Sequence, residues 1–184
     1  MLLLHGTGGN ERSLLDVGRL LDPNAGILSP RGNVLEGMYP RFFRRIAPQV
    51  LDLEDLRMRT DELAEFVGKA AQQYGFDADK VVAVGYSNGA NIATNALMRH
   101  PNIFTGAILF HGVLPEKPDA FPDLSGKRIF ISEGERDTML PRELVDELSK
   151  AYRLTGAEVT LRWQSGGHEL TEGEILAAYN WLNG

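Results

Sequence analysis

The sequence predicts an α/β protein, with a mostly parallel sheet of about six strands covered by helices on both faces. Short apolar runs that end at Gly, Ser or Pro alternate with longer segments of helical period, which is typical of parallel strands joined by helices. No internal repeat, low-complexity tract or long linker interrupts this alternation. We therefore expect residues 1–184 to form a single domain.

Six apolar runs are the candidate strands of this sheet. They lie at residues 2–5, 26–29, 81–86, 107–110, 128–132 and 159–163. Each run is short and is bounded by residues that favour turns, so we expect buried strands rather than pieces of helices.

Helices are predicted in the segments between these strands. The strongest pattern follows the start Thr60-Asp61-Glu62, where apolar residues recur at spacings of three and four. Its members are Leu63, Phe66, Val67, Ala70, Ala71 and Tyr74. Further helices are expected at residues 13–21, at residues 88–99, after Pro141 and at residues 175–182.

Residues 31–50 fit neither a helical nor a strand period. They carry Met38, Tyr39, Phe42 and Phe43 among four arginines. The segment is either a loop that covers the core with its aromatic rings or a flap that borders a substrate pocket, since such connections build sites in sheet proteins. As a flap, these four side chains would line the pocket.

Composition and charge exclude several function classes. The net charge of −6 disfavours nucleic acid or anionic lipid as a partner, because both need a basic protein surface. The chain has no cysteine, which rules out disulfides, thiolate metal sites and a cysteine nucleophile. The first residues lack the features of a signal peptide or a membrane anchor, so we expect a cytoplasmic protein without stable membrane insertion.

Ser87 is the candidate nucleophile. It follows an apolar run in Gly85-Tyr86-Ser87-Asn88-Gly89 and opens a predicted helix. A strand that turns into a helix at one residue leaves no room for side chains two positions away on either side, which explains the two glycines. The alternative is a serine that caps the helix in a tight turn. The strand before it and the helix after it favour a hydroxyl held out for attack.

His168 is the best candidate for the base that such a serine needs. It follows the last predicted strand in Gly166-Gly167-His168, at the sheet end where Ser87 also projects. His5 is expected to shape the loop after the first strand, and His100 to cap a helix end. His111 follows a strand and remains an alternative base, although it precedes any suitable acid in the chain.

Asp137 is the candidate acid that would orient the base. It lies beyond the strand at 128–132, whereas Glu133 and Glu135 come sooner and are expected to be solvated or to shape the loop. The chain order is then Ser, Asp, His, which is the order of the strand, elbow and helix arrangement.

Two backbone N–H groups would stabilise the oxyanion of an acyl-transfer reaction. One belongs to Asn88, directly after the nucleophile, and the other to Thr7 in the glycine-rich turn after the first strand. That turn could instead cradle a phosphate, but no lysine follows its glycines as a nucleotide loop requires.

Four segments in sequence, HGTGGNE, GYSNGAN, GERDTMLP and SGGHEL, resemble the α/β-hydrolase superfamily over nearly the whole chain. Within it they resemble the phospholipase/carboxylesterase family, which includes acyl-protein thioesterases. The resemblance implies a three-layer sandwich and a serine hydrolase of carboxylic esters or thioesters that needs no cofactor and is often a homodimer. No metal is expected either, because no cluster of histidines and carboxylates in the sequence has ligand spacing. Its catalytic residues would be Ser87, Asp137 and His168, with oxyanion donors at Thr7 and Asn88.

The chain departs from this family at two points. Relatives usually carry one or two strands before the strand that ends in His-Gly, so the segment at 26–29 would become a sheet edge. Asn88 stands where thioesterase relatives typically have Gln, which affects only the expected substrate preference because the proposed donor is the backbone. Two other functions remain open: a catalytically silent binding protein with the hydrolase fold, and an acyltransferase that uses the same three side chains.

Overall fold

The protein alternates strands and helices along the chain. A computed structural model describes residues 1–47 and 50–184. The strands are β1 (Leu2–Leu4), β2 (Val34–Glu36), β3 (Tyr39–Arg41), β4 (Arg45–Ala47), β5 (Val50–Leu51), β6 (Val82–Tyr86), β7 (Gly106–Phe110), β8 (Arg128–Gly134) and β9 (Glu158–Gln164). The helices are α1 (Leu15–Leu21), α2 (Leu53–Tyr74), α3 (Asn88–Arg99), α4 (Arg142–Leu154) and α5 (Glu172–Asn183).

The central sheet consists of five parallel strands in the order β1-β6-β7-β8-β9. Because all five strands run in the same direction, their carboxyl ends meet at one edge of the sheet. The loops after β1, β6, β7, β8 and β9 therefore lie on the same side of the molecule, which is where open α/β sheets build their sites.

Helices cover both faces of the sheet, which confirms the predicted three-layer α/β architecture. Alternate strand residues enter two separate apolar clusters, as the period of two requires. Ala83 and Leu109 pack with residues of α2, α3 and α4, whereas Val84 and Phe110 pack with residues of α1 and α5. The nearly continuous apolar strands follow from this burial on two sides.

Helix α2 begins about two turns before the predicted pattern. Asp52 caps it by accepting a hydrogen bond from the Asp55 N–H, and Gly75 ends it in a left-handed conformation with a φ of 69°. Its first turns bury only one apolar side chain, Leu56, while Leu53 and Met58 are exposed, so no apolar stripe marks them. Within the described ranges, no helix is long and apolar enough to cross a membrane.

The segment at 26–29 pairs with the sheet more weakly than predicted. The central sheet has five strands instead of about six, and this segment joins β1 through one isolated bridge between Leu2 and Leu28. The Leu3 N–H donates to the Leu28 carbonyl at 2.8 Å, and the Leu28 N–H donates to the Met1 carbonyl at 2.9 Å. Pro30, which has no N–H, follows directly and limits any extension of the ladder.

The segment at 31–50 forms two small antiparallel pairs, β2 with β3 and β4 with β5. Strands of two or three residues are too short to display a period, so the sequence pattern gave no sign of them. Residues 48 and 49 of this predicted segment lie outside the described residues.

Candidate active site

Ser87 occupies a sharp turn between β6 and α3. Its φ is 52° and its ψ is −114°, a conformation that costs a non-glycine residue about 1–3 kcal/mol. The two flanking glycines are required here: a Cβ on Gly85 would lie 2.6 Å from the Ala90 Cα, and one on Gly89 would lie 2.0 Å from the Leu4 carbonyl oxygen. The backbone thus holds the serine hydroxyl out beyond the sheet, as the sequence predicted.

Ser87, His168 and Asp137 form a continuous row of hydrogen bonds. The Ser87 Oγ lies 3.0 Å from His168 Nε2, and His168 Nδ1 lies 2.6 Å from Asp137 Oδ2. A neutral imidazole with its proton on Nδ1 donates to the carboxylate and accepts from the serine, which is the arrangement that a general base requires. The structure therefore brings together the three side chains that the sequence predicted.

The Asp137 carboxylate is fully buried and accepts several hydrogen bonds. Its Oδ1 accepts from the N–H groups of Met139 at 2.7 Å and Leu140 at 3.1 Å. Burial by itself raises the pKa of Asp137, but the hydrogen bonds from His168 and Met139 outweigh burial and lower the pKa below its usual range. The carboxylate is consequently ionised at neutral pH and fixed in orientation.

Backbone contacts lock the loop after β8 against the loop after β9. The Glu135 N–H donates to the Gln164 carbonyl at 2.7 Å, and the Arg136 N–H donates to the Gly166 carbonyl at 2.9 Å. Gly134 allows this approach, since a Cβ there would lie 2.1 Å from the Gly167 carbonyl oxygen. These contacts set the distance between the loops that carry Asp137 and His168.

Tyr86 makes a further contact with the loop that carries His168, and this contact was not predicted from the sequence. Its hydroxyl donates to the His168 carbonyl at 2.7 Å, and its ring centre lies 5.7 Å from that of His168. The residue directly before the serine therefore holds the histidine loop from below. The only sequence signal was a large aromatic residue between Gly85 and Ser87.

The loop after β1 and the start of α3 carry the two predicted oxyanion donors. Among the residues that the structure describes, the backbone N–H groups of Thr7 and Asn88 donate to no protein acceptor. Asn88 opens α3, where the first N–H groups have no partner within the helix and favour negative charge. Both residues are also tied to the segment that carries β3: Arg41 Nη1 donates to Thr7 Oγ1 at 2.8 Å, and the Phe42 N–H donates to Asn88 Oδ1 at 2.7 Å.

The four predicted pocket residues divide into two pairs. Met38 and Tyr39 are 90% and 63% exposed, and the Tyr39 ring lies beside Gly8 in the loop after β1. Phe42 and Phe43 are buried, and Phe42 packs on the His5 ring with the ring centres 4.7 Å apart. The prediction that both phenylalanines line a substrate pocket is therefore corrected, because both side chains fill the core.

The histidines at 5 and 100 lie away from the Ser87 hydroxyl, in the roles predicted for them. His5 Nδ1 contacts the Gly6 carbonyl at 2.7 Å and its Nε2 accepts from the Gly32 N–H at 3.0 Å, so it braces the loop after β1. His100 is the C-cap residue of α3, and its ring contacts Asp61 at 2.7 Å on the exposed surface.

His111 lies beneath the serine, histidine and aspartate row, in a buried group of acidic side chains. His111 Nδ1 is 2.9 Å from Glu133 Oε1 and 3.4 Å from Asp137 Oδ2. Its Nε2 is 3.1 Å from Glu174 Oε1, an ion-pair distance without the alignment of a hydrogen bond. His111 therefore contacts the acid end of the row, whereas His168 is the histidine that contacts the serine.

Glu133 corrects the prediction of a solvated or loop-shaping carboxylate. Strand β8 continues past residue 132 to Gly134, so Glu133 pairs with Trp163 inside the sheet and is fully buried. Burial raises the pKa of Glu133 to about 7, against the opposing contact with His111. Burial lowers the pKa of His111, but the contacts with Glu133 and Glu174 outweigh burial and raise the pKa to about 10.

The atoms that could ligate a metal in this group lie within 4.8 Å of one another. They belong to His111, Glu133, Asp137 and His168. The same atoms already form the hydrogen bonds between imidazoles and carboxylates described above. Shared protons therefore explain why these atoms lie so close together. We assign no metal or cofactor to these residues, and the sequence-based expectation of none stays a prediction.

Comparison with known proteins identifies relatives along the whole chain. A profile of the dienelactone hydrolase family matches residues 44–174. The MhqD protein of Bacillus subtilis is 45% identical over 181 residues, which cover 98% of this chain and 90% of MhqD.

Two solved carboxylesterases share the fold. The carboxylesterase of Bacillus cereus is 46% identical, with a TM-score of 0.97 over 99% of this chain and 86% of that one. The carboxylesterase of Mesorhizobium loti is 30% identical, with a TM-score of 0.92 over 100% of this chain and 87% of that one. The chain belongs to the dienelactone hydrolase family and is an α/β-hydrolase of the carboxylesterase type.

Proposed function

We propose that this protein is a serine hydrolase that cleaves carboxylic esters through an acyl-enzyme intermediate on Ser87. The observation that carries the proposal is the row of hydrogen bonds, 3.0 Å from Ser87 Oγ to His168 Nε2 and 2.6 Å from His168 Nδ1 to Asp137 Oδ2. A serine hydroxyl is a weak nucleophile at neutral pH, and a base at this distance removes its proton as it attacks.

In the first half of the reaction, Ser87 Oγ attacks the ester carbonyl while His168 Nε2 accepts the hydroxyl proton. The buried Asp137 carboxylate stabilises the imidazolium that forms. The negative charge that develops on the carbonyl oxygen is stabilised by the N–H groups of Thr7 and Asn88, each worth about 3–4 kcal/mol in comparable sites. His168 then protonates the departing alkoxide, so the alcohol leaves and the acyl group stays on the serine.

In the second half, water replaces the alcohol. His168 accepts a proton from the water as it attacks the acyl carbon, and it returns that proton to Ser87 Oγ when the acid leaves. The His168 side chain is 19% exposed, so water reaches the ring without a change in the fold. The alternation of the imidazole between base and acid needs no metal and no cofactor.

The substrate is expected to be a small ester of low charge. Met38 and Tyr39 from the hairpin and Met139 from the loop after β8 expose apolar surface around the site. A thioester has the same acyl carbon and would follow the same steps with a thiolate as the leaving group, so both classes belong in the screen.

The experiment is hydrolysis of p-nitrophenyl acetate by wild type and by Ser87→Ala. We expect wild type to release acid and Ser87→Ala to lose at least about a thousandfold in kcat, as when a comparable nucleophile is removed. Ser165→Ala is the matched control, since Ser165 lies on the exposed loop before His168. Equal turnover by wild type and Ser87→Ala would refute the nucleophile assignment.

A fluorophosphonate probe separates hydrolysis from the other two functions. Rapid labelling of Ser87, located by peptide mass spectrometry, requires an activated serine and would exclude a silent binding protein. Product analysis with added alcohols or amines would then reveal an acyltransferase, since the acyl group would appear on the added nucleophile instead of on water.

A further inference from the structure

Five ionisable side chains from strands, loops and a helix meet below the Ser87 hydroxyl. They are His111 directly after β7, Glu133 in β8, Asp137 in the following loop, His168 in the loop after β9 and Glu174 in α5. The reaction proposed above uses only Asp137 and His168, which leaves His111 and two glutamates without a role.

The carboxylates of this cluster carry buried negative charge that needs a positive partner. Glu174 accepts hydrogen bonds from the Ser132 hydroxyl and from both the N–H and the hydroxyl of Thr171, each at 2.9 Å, which favour its ionised form. Asp137 is ionised for the reasons given above. Buried charges without partners are strongly destabilising, so at least one buried cation is needed among these side chains.

His111 is the group placed to supply that cation. Both of its ring nitrogens face carboxylates, with Glu133 and Asp137 on one side and Glu174 on the other. Its ring centre lies 5.1 Å from that of His168 and 5.7 Å from that of Tyr86, the remaining titratable group packed against it. In a neutral imidazole only one ring nitrogen carries a proton. The other nitrogen would then be an acceptor facing a carboxylate oxygen, which is also an acceptor, and the contact would be repulsive.

The backbone of His111 is strained to reach this position. Its φ is 52°, in the left-handed region that a non-glycine residue rarely adopts, and the side chain is fully buried. Among the residues that the structure describes, only Ser87 shares this feature with His111 outside glycine. Strain of this kind persists where the surrounding contacts compensate for it, and it is concentrated at functional sites.

We propose that His111 is a positioning residue of the ester hydrolysis: a buried imidazolium that fixes the Asp137 carboxylate toward His168 and balances the negative charge behind it. This inference rests on the proposed function. Without the cation, Asp137 would face the carboxylates of Glu133 and Glu174 with no positive charge behind it, and its hydrogen bond would hold the His168 ring less firmly against Ser87.

The first test is His111→Asn, with ester hydrolysis measured across pH. Asparagine tolerates a positive φ and retains a short amide donor, but it carries no charge and does not reach Glu174. We expect kcat/KM at pH 7 to fall by about tenfold or more, and the acidic limb of its pH profile to move up by about one unit, because the row of Ser87, His168 and Asp137 loses a positive neighbour. His100→Asn, the same change on the surface, is the matched control and should leave the limb in place.

A second variant separates charge balance from packing. Adding Glu174→Gln to His111→Asn removes one carboxylate together with the cation, so the acidic limb should move back toward its wild-type position. If His111→Asn acted through a packing defect, the double variant would be less stable still, and the acidic limb of its pH profile would stay at the position seen in His111→Asn. Such a result, or an acidic limb that never moves in His111→Asn, would refute the charge-balancing role.

The third measurement does not depend on activity. Ring ¹⁵N and ¹H chemical shifts of Ser87→Ala should identify His111 as an imidazolium through pH 8, and the His168 ring signals should shift once His111→Asn is added. If His111 is neutral between pH 6 and 8, the proposal is wrong even in an active enzyme. If esters are not hydrolysed but both shifts are as expected, the proposed function fails while the electrostatic coupling between the two histidines stands.

Discussion

The Asn88 side chain holds the Phe42 backbone: Asn88 Oδ1 accepts a hydrogen bond from the Phe42 N–H at 2.7 Å inside the protein. Asn88 also carries the second proposed oxyanion donor on its own N–H. One residue therefore links the turn that presents Ser87 to the hairpin of β2 and β3, which carries Met38 and Tyr39 at the edge of the site.

Replacement of this side chain should loosen the hairpin. In Asn88→Ala the buried Phe42 N–H loses its acceptor, so we expect a loss of about 1–3 kcal/mol in the free energy of unfolding. The backbone donor is retained, so KM for p-nitrophenyl esters should rise more than kcat falls. Urea denaturation and steady-state kinetics measure the two effects, with the exposed Asn102→Ala as control. A fall in kcat at unchanged KM would contradict a role in holding the hairpin.

Loss of the Tyr86 hydroxyl should weaken the position of His168. Tyr86→Phe removes the hydrogen bond to the His168 carbonyl and keeps the ring, so stability should fall by only about 1 kcal/mol. We expect kcat to drop several-fold, because His168, the proposed base, is held less firmly against Ser87. The exposed Tyr74→Phe provides the comparison. If kcat of Tyr86→Phe equals that of wild type, the loop does not depend on this contact.

A methyl group on Gly134 should separate the loops that carry Asp137 and His168. The added Cβ would lie 2.1 Å from the Gly167 carbonyl oxygen, so either loop must move. We expect Gly134→Ala to lose about 1–3 kcal/mol of stability and on the order of a hundredfold in kcat. Gly68→Ala is the matched control: it lies within α2 with no atom within 4 Å of the new Cβ, and should gain about 0.5–1 kcal/mol. Normal kcat in Gly134→Ala would mean that the loops tolerate this separation.

The sequence predicted the three side chains of the hydrogen-bonded row because each follows a strand of a parallel sheet, whose carboxyl ends share one edge. Ser87 had a further signal in its two glycines, which a tight strand-to-helix turn requires. The position of Asp137 beyond its strand, and of His168 on a glycine-rich turn, completed the assignment without any knowledge of distances.

The buried acidic cluster could not be predicted in the same way. Glu133 follows an apolar run, and nothing in the sequence distinguishes a strand that ends at residue 132 from one that continues inward. Two signals were available: His111 comes directly after a strand at the shared edge, and Thr171 with Glu174 has the spacing of a capping box. Whether a glutamate caps a helix at the surface or against a buried histidine depends on packing, which a one-dimensional pattern does not contain.

The same limit applies to the aromatic residues of the segment at 31–50. Met38 and Tyr39 are exposed while Phe42 and Phe43 are buried, although all four have similar apolar character. The turn at Gly37, with a φ of 62°, and the anchor from Phe42 to Asn88 decide which side chains face inward. Both are tertiary features, and strands this short left no periodic pattern.

The buried His111 should make the folded protein less stable in alkali. Its folded-state pKa is raised to about 10 from an ordinary value of 6.5. A group with a raised pKa binds its proton more tightly in the folded state, so its contribution is complete below pH 6.5 and is lost as pH rises toward 10. The Glu133 pKa, raised to about 7, acts in the same direction between 4.5 and 7, because the unfolded chain releases that proton first.

We therefore expect the free energy of unfolding, measured in urea at pH 7, 8, 9 and 10, to decline with pH. His111→Asn should start lower and decline less steeply, because the variant has no imidazolium to lose, while His100→Asn should follow the wild type. Parallel slopes in wild type and His111→Asn would show that other groups cause the decline. His111 would then be neutral in the folded protein, and the carboxylates around it would have to be balanced by protons on Glu133 and Glu174.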